Sequence, residues 1–355
     1  MASAPTHPRP ERGAPERGAP AIPISECMAP PAGDPWPELP LAPWRSTRDA
    51  LHLWSQIAGK TLLAGAPAQN HWWHTALQVS PRGLRGLPAA LGDRAFELEL
   101  DLLDHRLAVR TSDGRSAALP LRSGTVRDFY REYMDLLRGL GIAVHLWTRP
   151  VELPDPVVPF DEDGEHRAYD PVQARRFWEV LRRCDAVLRG MAGAFVGKQS
   201  PVHFFWGSFD LAATRFSGRR APERPGADPV TREAYSHEVI SFGFWPGGRL
   251  PSGAEVDEPI FYAYQAPEPD GLRDAPVAPV GARYDTALGE FVLPYAEVRA
   301  RDDPAAAVRT FFEDVYDAGA ALAGWDRAAL ERTAPSGPAA PERLPEVGPQ
   351  PAQGH

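Results

Sequence analysis

The stretch His203-Phe204-Phe205-Trp206-Gly207-Ser208-Phe209-Asp210-Leu211 can be laid on His71-Trp72-Trp73-His74-Thr75-Ala76-Leu77-Gln78-Val79. Both read histidine, aromatic, aromatic, ring, small, small, apolar, polar, apolar, at a shift of 132 residues (203 − 71). The same shift lays Gly86 on Gly218 and His105 on His237. Each stretch follows helical text that ends in Gly-Lys, at Gly59-Lys60 and Gly197-Lys198. A long-period repeat decides a fold, so the reading is two duplicated α-β-β-β-α halves packed as one body. Chance likeness between aromatic-rich strands is the competing explanation. Superposition of the halves with His71 on His203 separates the two.

Working outward, four helices read clearly. The first spans about 46–63, with Leu51, Trp54, Ala58 and Thr61 on one stripe. The second follows Thr125 as N-cap and carries Phe129, Tyr133, Leu136, Leu137 and Leu140 at three- and four-residue spacing. The third opens at Asp170-Pro171 and the fourth at Asp303-Pro304, each an N-cap followed by proline at the first helical position. Between them lie strands. Phe96, Leu98, Leu100 and Leu102 alternate with acidic residues, and further strands are expected at 71–79, 109–111, 144–148, 202–213, 236–245, 260–265 and 291–293. Strands in runs with helices at their ends predict an α+β fold, a mostly antiparallel sheet with flanking helices.

Composition bounds the rest. The chain has 355 residues, 43% hydrophobic, with a formal net charge of −9. That balance disfavours nucleic acid and anionic membranes, which need a positive face. Two cysteines exclude a disulfide scaffold and a cysteine zinc site. No apolar run reaches the roughly 18 residues of a membrane span. The expectation is a soluble, cytoplasmic protein. Proline reaches 40 residues and crowds both ends. Residues 1–35 and 333–355 are therefore expected to be disordered, flanking a body over 36–330 with halves at 44–150 and 165–330.

Familiar motifs fail. Gly59-Lys60-Thr61 lacks the earlier glycine of a phosphate loop, since Trp54 stands there. No Gly-x-Gly-x-x-Gly or Gly-x-Ser-x-Gly exists, so no cofactor is implied. His71 and His74 on a strand would diverge, and no metal is expected. In 203–210, Phe204, Trp206, Ser208 and Asp210 share one face. A buried Asp210 needs a partner, and Arg215, Arg219 and Arg220 are nearest in sequence. Read functionally, they form a pocket wall with an arginine anion clamp; read structurally, an ion pair. Glu238 shares its face with Ile240, Phe242 and Phe244, and burial there would raise its pKa into general acid–base range. His237 faces the other way. Gly243 to Gly248 reads as a stiff aromatic loop over a cleft. His105 reads as a solvated turn and Cys184 as core.

Several blocks are familiar together: Trp44-Arg45, Leu51-His52, Gln56-Ile57, Gly59-Lys60, Asn70-His71-Trp72-Trp73-His74, the run 200–211, Thr214-Arg215-Phe216-Ser217-Gly218-Arg219, Ser236-His237-Glu238, Gly243-Phe244-Trp245-Pro246-Gly247 and Leu293-Pro294-Tyr295. Over about 36–330 the chain resembles the bacterial domain-of-unknown-function family numbered 5996. That family carries no established activity, so the resemblance implies domain limits and no catalytic residues.

The functional expectation is a small-molecule-binding protein or enzyme of acid–base or hydrolytic chemistry without a redox cofactor. Its catalytic candidates are Glu238, His237 and His203, with His74, Trp206, Ser208, Asp210, Arg215, Arg219 and Trp245 as ligand-binding residues. The alternative is a non-catalytic interaction module that uses exposed Trp and Arg surface and its Pro-rich tails. Position of Trp72, Trp73, Trp206 and Trp245 discriminates them: an exposed patch favours the second, a concave lining the first. The oligomeric state is not legible.

Overall fold

The computed structural model describes residues 34–332. Both proline-rich ends lie outside the described residues, and so does Cys27. The first helix, α1 (Leu41–Gly65), is longer at both ends than its stripe indicates. Six short strands follow: β1 (Leu77–Val79), β2 (Gly83–Gly86), β3 (Ala89–Leu91), β4 (Arg94–Asp101), β5 (Arg106–Thr111) and β6 (Ser116–Pro120). Then come β7 (Gly124–Thr125), α2 (Val126–Gly139), β8 (His166–Arg167) and α3 (Pro171–Ala192). The second half runs β9 (His203–Phe205), β10 (Asp210–Arg220), α4 (Pro229–Ala234), β11 (His237–Trp245), β12 (Gly248–Arg249), β13 (Glu255–Val256), β14 (Ile260–Ala266), β15 (Arg283–Asp285) and β16 (Glu290–Pro294). It closes with α5 (Tyr295–Arg299), α6 (Pro304–Leu322) and α7 (Arg327–Leu330).

Twelve strands make one antiparallel sheet, in the order β15-β16-β14-β11-β10-β9-β1-β2-β4-β5-β6, with β3 also on β4. Strands β1 to β6 follow one another as a meander with short links, which suits antiparallel pairing. After α3 longer links intervene, with α4 between β10 and β11, and β16 returns between β14 and β15. The two sets meet where β1 pairs β9, Leu77 opposite Phe204. The order helix, strands, helix occurs twice. The N-caps are as read: Thr125 accepts from Asp128 N, Asp170 from Val172 N, and Asp303 from Ala306 N.

Alternation along the strands assigns the two faces. Leu211, Ile240, Phe242, Phe244, Phe261 and Phe291 point to the inner face and join α1, α3 and α6 in the main core. On the outer face, register aligns three rows: Ala212-Gly243-Tyr262-Val292, Thr214-Ser241-Tyr264, and Phe216-Val239-Ala266. These rows belong to two smaller apolar clusters, one reached by Phe205, Leu250 and Leu288, the other by Trp73 and Tyr235.

Three sequence expectations are corrected. Residues 70–75 form a 3-10 turn, not a strand, because His71 and Trp72 take left-handed conformations (φ 55° and 60°). Two such residues in succession are strained. The turn is held by Glu233, whose carboxylate accepts from His71 N and whose carbonyl accepts from the His71 ring, while Lys198 Nζ donates to His71 Nε2 at 2.7 Å. The matched stretches 71–75 and 203–207 therefore differ in backbone: a 3-10 turn stands against a strand and its turn. Second, 202–213 is not one strand but the β9–β10 hairpin, reversed at 206–209 with Phe209 left-handed (φ 65°) and its amide bonded to Phe205 O at 2.8 Å. Trp206 and Ser208 thus sit on a turn, while Phe204, opposite Leu211, faces inward and Asp210, opposite Phe205, faces outward, so the four share no face. Third, 144–148 forms no strand; 142–165 is an irregular crossing segment.

That segment is held by α1 in a specific way. Arg48, His52, Gln56 and Lys60 recur every four residues and are all buried. His52 Nε2 lies 2.8 Å from Gly207 O, so it carries the proton it donates. Gln56 bonds Val151 twice, donating to its carbonyl and accepting from its amide, each at 2.9 Å. Lys60 Nζ donates to Trp147 O and Arg149 O at 3.1 and 2.6 Å. A strandless segment has backbone groups that must be bonded somewhere, and this polar stripe supplies the partners. Gly59 lies inside α1 because the Trp206 indole fills the place of a side chain there.

Candidate active site

The site grows from the β9–β10 hairpin and the outer face beside it. Asp210, the first residue of β10, is 6% exposed. Its carboxylate accepts from Ser208 Oγ and from the Tyr262 hydroxyl. No arginine reaches it, so the expected pairing with Arg215, Arg219 or Arg220 is replaced by two hydroxyls. Arg215 cannot serve because it lies five residues along the strand, on the opposite face. Tyr262 approaches Asp210 across Gly243: a Cβ there would fall 2.3 Å from its ring. Trp245 Nε1 donates to Ser208 O at 3.0 Å and closes one end. In the next row Thr214 and Ser241 hydroxyls bond at 2.8 Å, and the Tyr235 and Tyr264 hydroxyls at 3.0 Å.

Two further carboxyls flank Asp210. Glu152 sits in the crossing segment with φ 56°. Its Oε1 occupies the space a Cβ on Gly207 would need, 2.1 Å away, which is why the hairpin tip is glycine. Glu152 is exposed as a residue, but the protein crowding its carboxyl and the charges of Asp210 and Asp228 push it up to about 7. Glu290, at the start of β16, is pushed up to about 8 by burial and by Asp210 and Asp285. Burial raises Asp210 as well, against the two hydroxyl bonds that favour its ionised form. Burial and repulsion from Asp210 thus keep protons on Glu152 and Glu290 near neutral pH. Such groups donate and accept protons in the physiological range. Among the described residues no group of three His, Cys, Asp or Glu side chains is placed to hold a metal ion.

The remaining candidates are dispersed. His203 faces outward from β9, 1% exposed, between Trp73 and Phe205; burial pushes it down to about 4, and its Nδ1 has no partner. His74 accepts from Gln69 N at 3.2 Å and stacks on Trp72. His237 lies against His71 and Ser236. Glu238 pairs with Arg219, which also donates to Ala323 O and Gly324 O at the end of α6, so both close that helix. Arg215 is buried on the inner face, donating to Met191 O and boxed by Phe195, Phe242 and Tyr316. Trp206 donates to Thr75 O on the α1 side. Asp210, Ser208 and Trp245 are thus brought together, and Glu152, Glu290 and Tyr262 complete the group. The sequence carried no periodic signal for Glu152. Tyr262 lies within the strand read at 260–265, whereas Glu290 lies one residue before the strand read at 291–293. Among the lesser readings, His105 bonds Tyr169 OH at 2.9 Å, and Cys184 is core.

On the other side of the same hairpin lies a cleft of about 420 Å³ between α1 and the crossing segment. Gly248, directly after the Pro246-Gly247 turn, abuts Arg48 at this cleft, and Arg249 lines it. The loop expected over 243–248 is corrected: Gly243, Phe244 and Trp245 are strand residues of β11 paired with β14, and only Pro246 and Gly247 turn the chain toward the cleft edge.

Fold and site together define an α+β protein: one long antiparallel sheet, helices on its inner face, a carboxyl–tyrosine cluster on its outer face. The chain belongs to a family of unknown function, DUF5996, whose model matches residues 36–332. No curated protein and no solved structure matches it. Among the described residues, no helix is long and apolar enough to cross a membrane.

Proposed function

We propose that this protein binds a small molecule at the outer face of its second half and acts on it by acid–base chemistry. The observation that carries the reading is the Asp210 carboxyl, buried between the Ser208 and Tyr262 hydroxyls and flanked by Glu152 and Glu290, both raised toward neutrality. Convergent polar groups set among aromatic rings are the ordinary form of a small-molecule site. Glu152 takes the role first read for Glu238, since Glu238 is engaged with Arg219. Protonated, Glu152 or Glu290 is a general acid; ionised, Asp210 is the complementary base or a stabiliser of positive charge. The tryptophans do not offer the exposed patch an interaction module would use: Trp72, Trp73, Trp206 and Trp245 are all half-buried or buried, and none of the four lines the cleft.

The test is a thermal-shift screen of the whole chain against metabolites at pH 6 and pH 8. A ligand at about 100 times its Kd adds roughly 2.7 kcal/mol. A hit that Asp210→Asn and Glu152→Gln abolish, while Glu238→Gln keeps it, supports the reading. A hit indifferent to Asp210→Asn and Glu152→Gln overturns it.

A further inference from the structure

The cleft on the α1 side of the hairpin has two unlike walls. One is a helical face of α1, where Arg45, Arg48, Asp49, His52 and Leu53 follow helical spacing, completed by Arg167 and Arg249. The other is apolar, made of Leu153, Pro154, Pro156, Val157 and Val158 from the crossing segment.

Arg48 is the unusual member. It is 4% exposed, and its Nη1 donates to Asp49 at 2.8 Å. Among the described residues its buried Nε and Nη2 have no hydrogen-bond partner. Those two nitrogens form the side-on fork that binds a carboxylate or phosphate through two parallel bonds. A buried guanidinium with an unused fork is costly unless something accepts from it. The carboxylates of the cleft are already engaged: Asp49 with Arg48 Nη1, and Asp163 and Glu165 with Arg167 at 3.0 and 2.9 Å. Gly248 packs against the guanidinium where any side chain would collide with it: a Cβ there, at φ 128°, would fall 2.3 Å from Nη2. His52, donating to Gly207 O, stays neutral beside Arg48 and supplies no competing charge.

We propose that this cleft is a second ligand site, taking an amphipathic anion whose carboxylate or phosphate is held by the Arg48 fork and whose apolar body lies on the Leu153–Val158 wall. A volume of about 420 Å³ lies in the range of small-ligand sites. Arg249 lies beside it as an additional cation.

The experiment is isothermal titration of the full chain with octanoate, phenyl phosphate and inorganic phosphate, at low salt. Octanoate or phenyl phosphate should bind more tightly than inorganic phosphate, which lacks the apolar body; the tighter of the two tells carboxylate from phosphate. Arg48→Met keeps the stem and removes the charge. It should weaken the bound probe by about 10-fold or more, with a Tm close to that of the unmodified chain, because the lost Asp49 pair is half-exposed while two buried unsatisfied nitrogens are gone. Val158→Glu acts independently of folding, since Val158 is 49% exposed, and its charge should weaken the anion several-fold at low salt. Asp210→Asn should leave probe binding unchanged, which separates this site from the outer face. Failure of both amphipathic probes to bind, or unchanged binding in Arg48→Met or Val158→Glu, overturns the proposal.

Discussion

Gln56→Leu removes the central rung of the α1 stripe at nearly constant volume. Gln56 is fully buried and makes two 2.9 Å bonds to Val151, one to its carbonyl and one from its amide. Each is worth about 1 kcal/mol net. Val151 is half-buried, so water repays part of the loss on its side, while the leucine is at home in the core. The expected cost is about 2 kcal/mol, or about 4 °C in Tm for a chain of this size. The functional consequence follows from position. Val151 precedes Glu152, whose carboxyl is kept against Gly207 and near Asp210 only while the segment stays docked. With the rung gone, the Glu152 carboxyl should leave Gly207 and Asp210 and titrate closer to the ordinary 4.5. Differential scanning fluorimetry reads the first effect. Amide hydrogen exchange over 144–160 reads the second, with faster exchange there and none in α6. An unchanged Tm together with unchanged exchange in 144–160 would refute the argument that the stripe holds the crossing segment.

Other predictions follow from the same contacts. Tyr262→Phe deletes a hydroxyl donor to a buried carboxylate and should cost about 1–3 kcal/mol, measured by urea unfolding; Asp210 should then titrate higher still. Glu290→Gln bears on pH. A carboxyl raised from 4.5 to about 8 binds its proton more tightly when folded, so its contribution is full below pH 4.5 and is lost as pH rises towards 8. The unmodified chain should therefore lose stability over that window, and Glu290→Gln should flatten the decline in a Tm-versus-pH series. Glu238→Gln should cost less than about 1 kcal/mol, since its partner Arg219 is half-exposed and keeps its bonds to Ala323 O and Gly324 O. It should also leave outer-face ligand binding intact.

Much of the fold is written in local chemistry. Asp170-Pro171 and Asp303-Pro304 announce their helices because cap and fixed φ act within one turn. The alternation of Ile240, Phe242 and Phe244 announces a strand backed by a core. The 3-10 turn at 70–75 escapes the same reading. His71 and Trp72 are ordinary strand formers, and their left-handed state is imposed by Glu233 and Lys198, which lie more than 120 residues away. The β9–β10 hairpin is hidden likewise, because its glycine is required by Glu152 rather than by a turn type. In the site, Asp210 and Ser208 are legible as polar residues in aromatic text. Glu152 is not, since the proline-broken 150–159 has no period to break. A spacing of four through Arg48, His52, Gln56 and Lys60 was a visible sign that α1 turns a polar stripe toward something needing hydrogen bonds.

Carboxyls on the outer face hold protons at neutral pH because burial, and after it the charge of Asp210, opposes their ionisation. Carboxyl-labelled carbon-13 NMR, followed from pH 3 to pH 9, tests this most directly. The account predicts two glutamate resonances titrating near 7 and 8. Both should vanish in the double Glu152→Gln, Glu290→Gln chain, and both should move lower in Asp210→Asn. A spectrum in which every glutamate titrates below about 5 would contradict it.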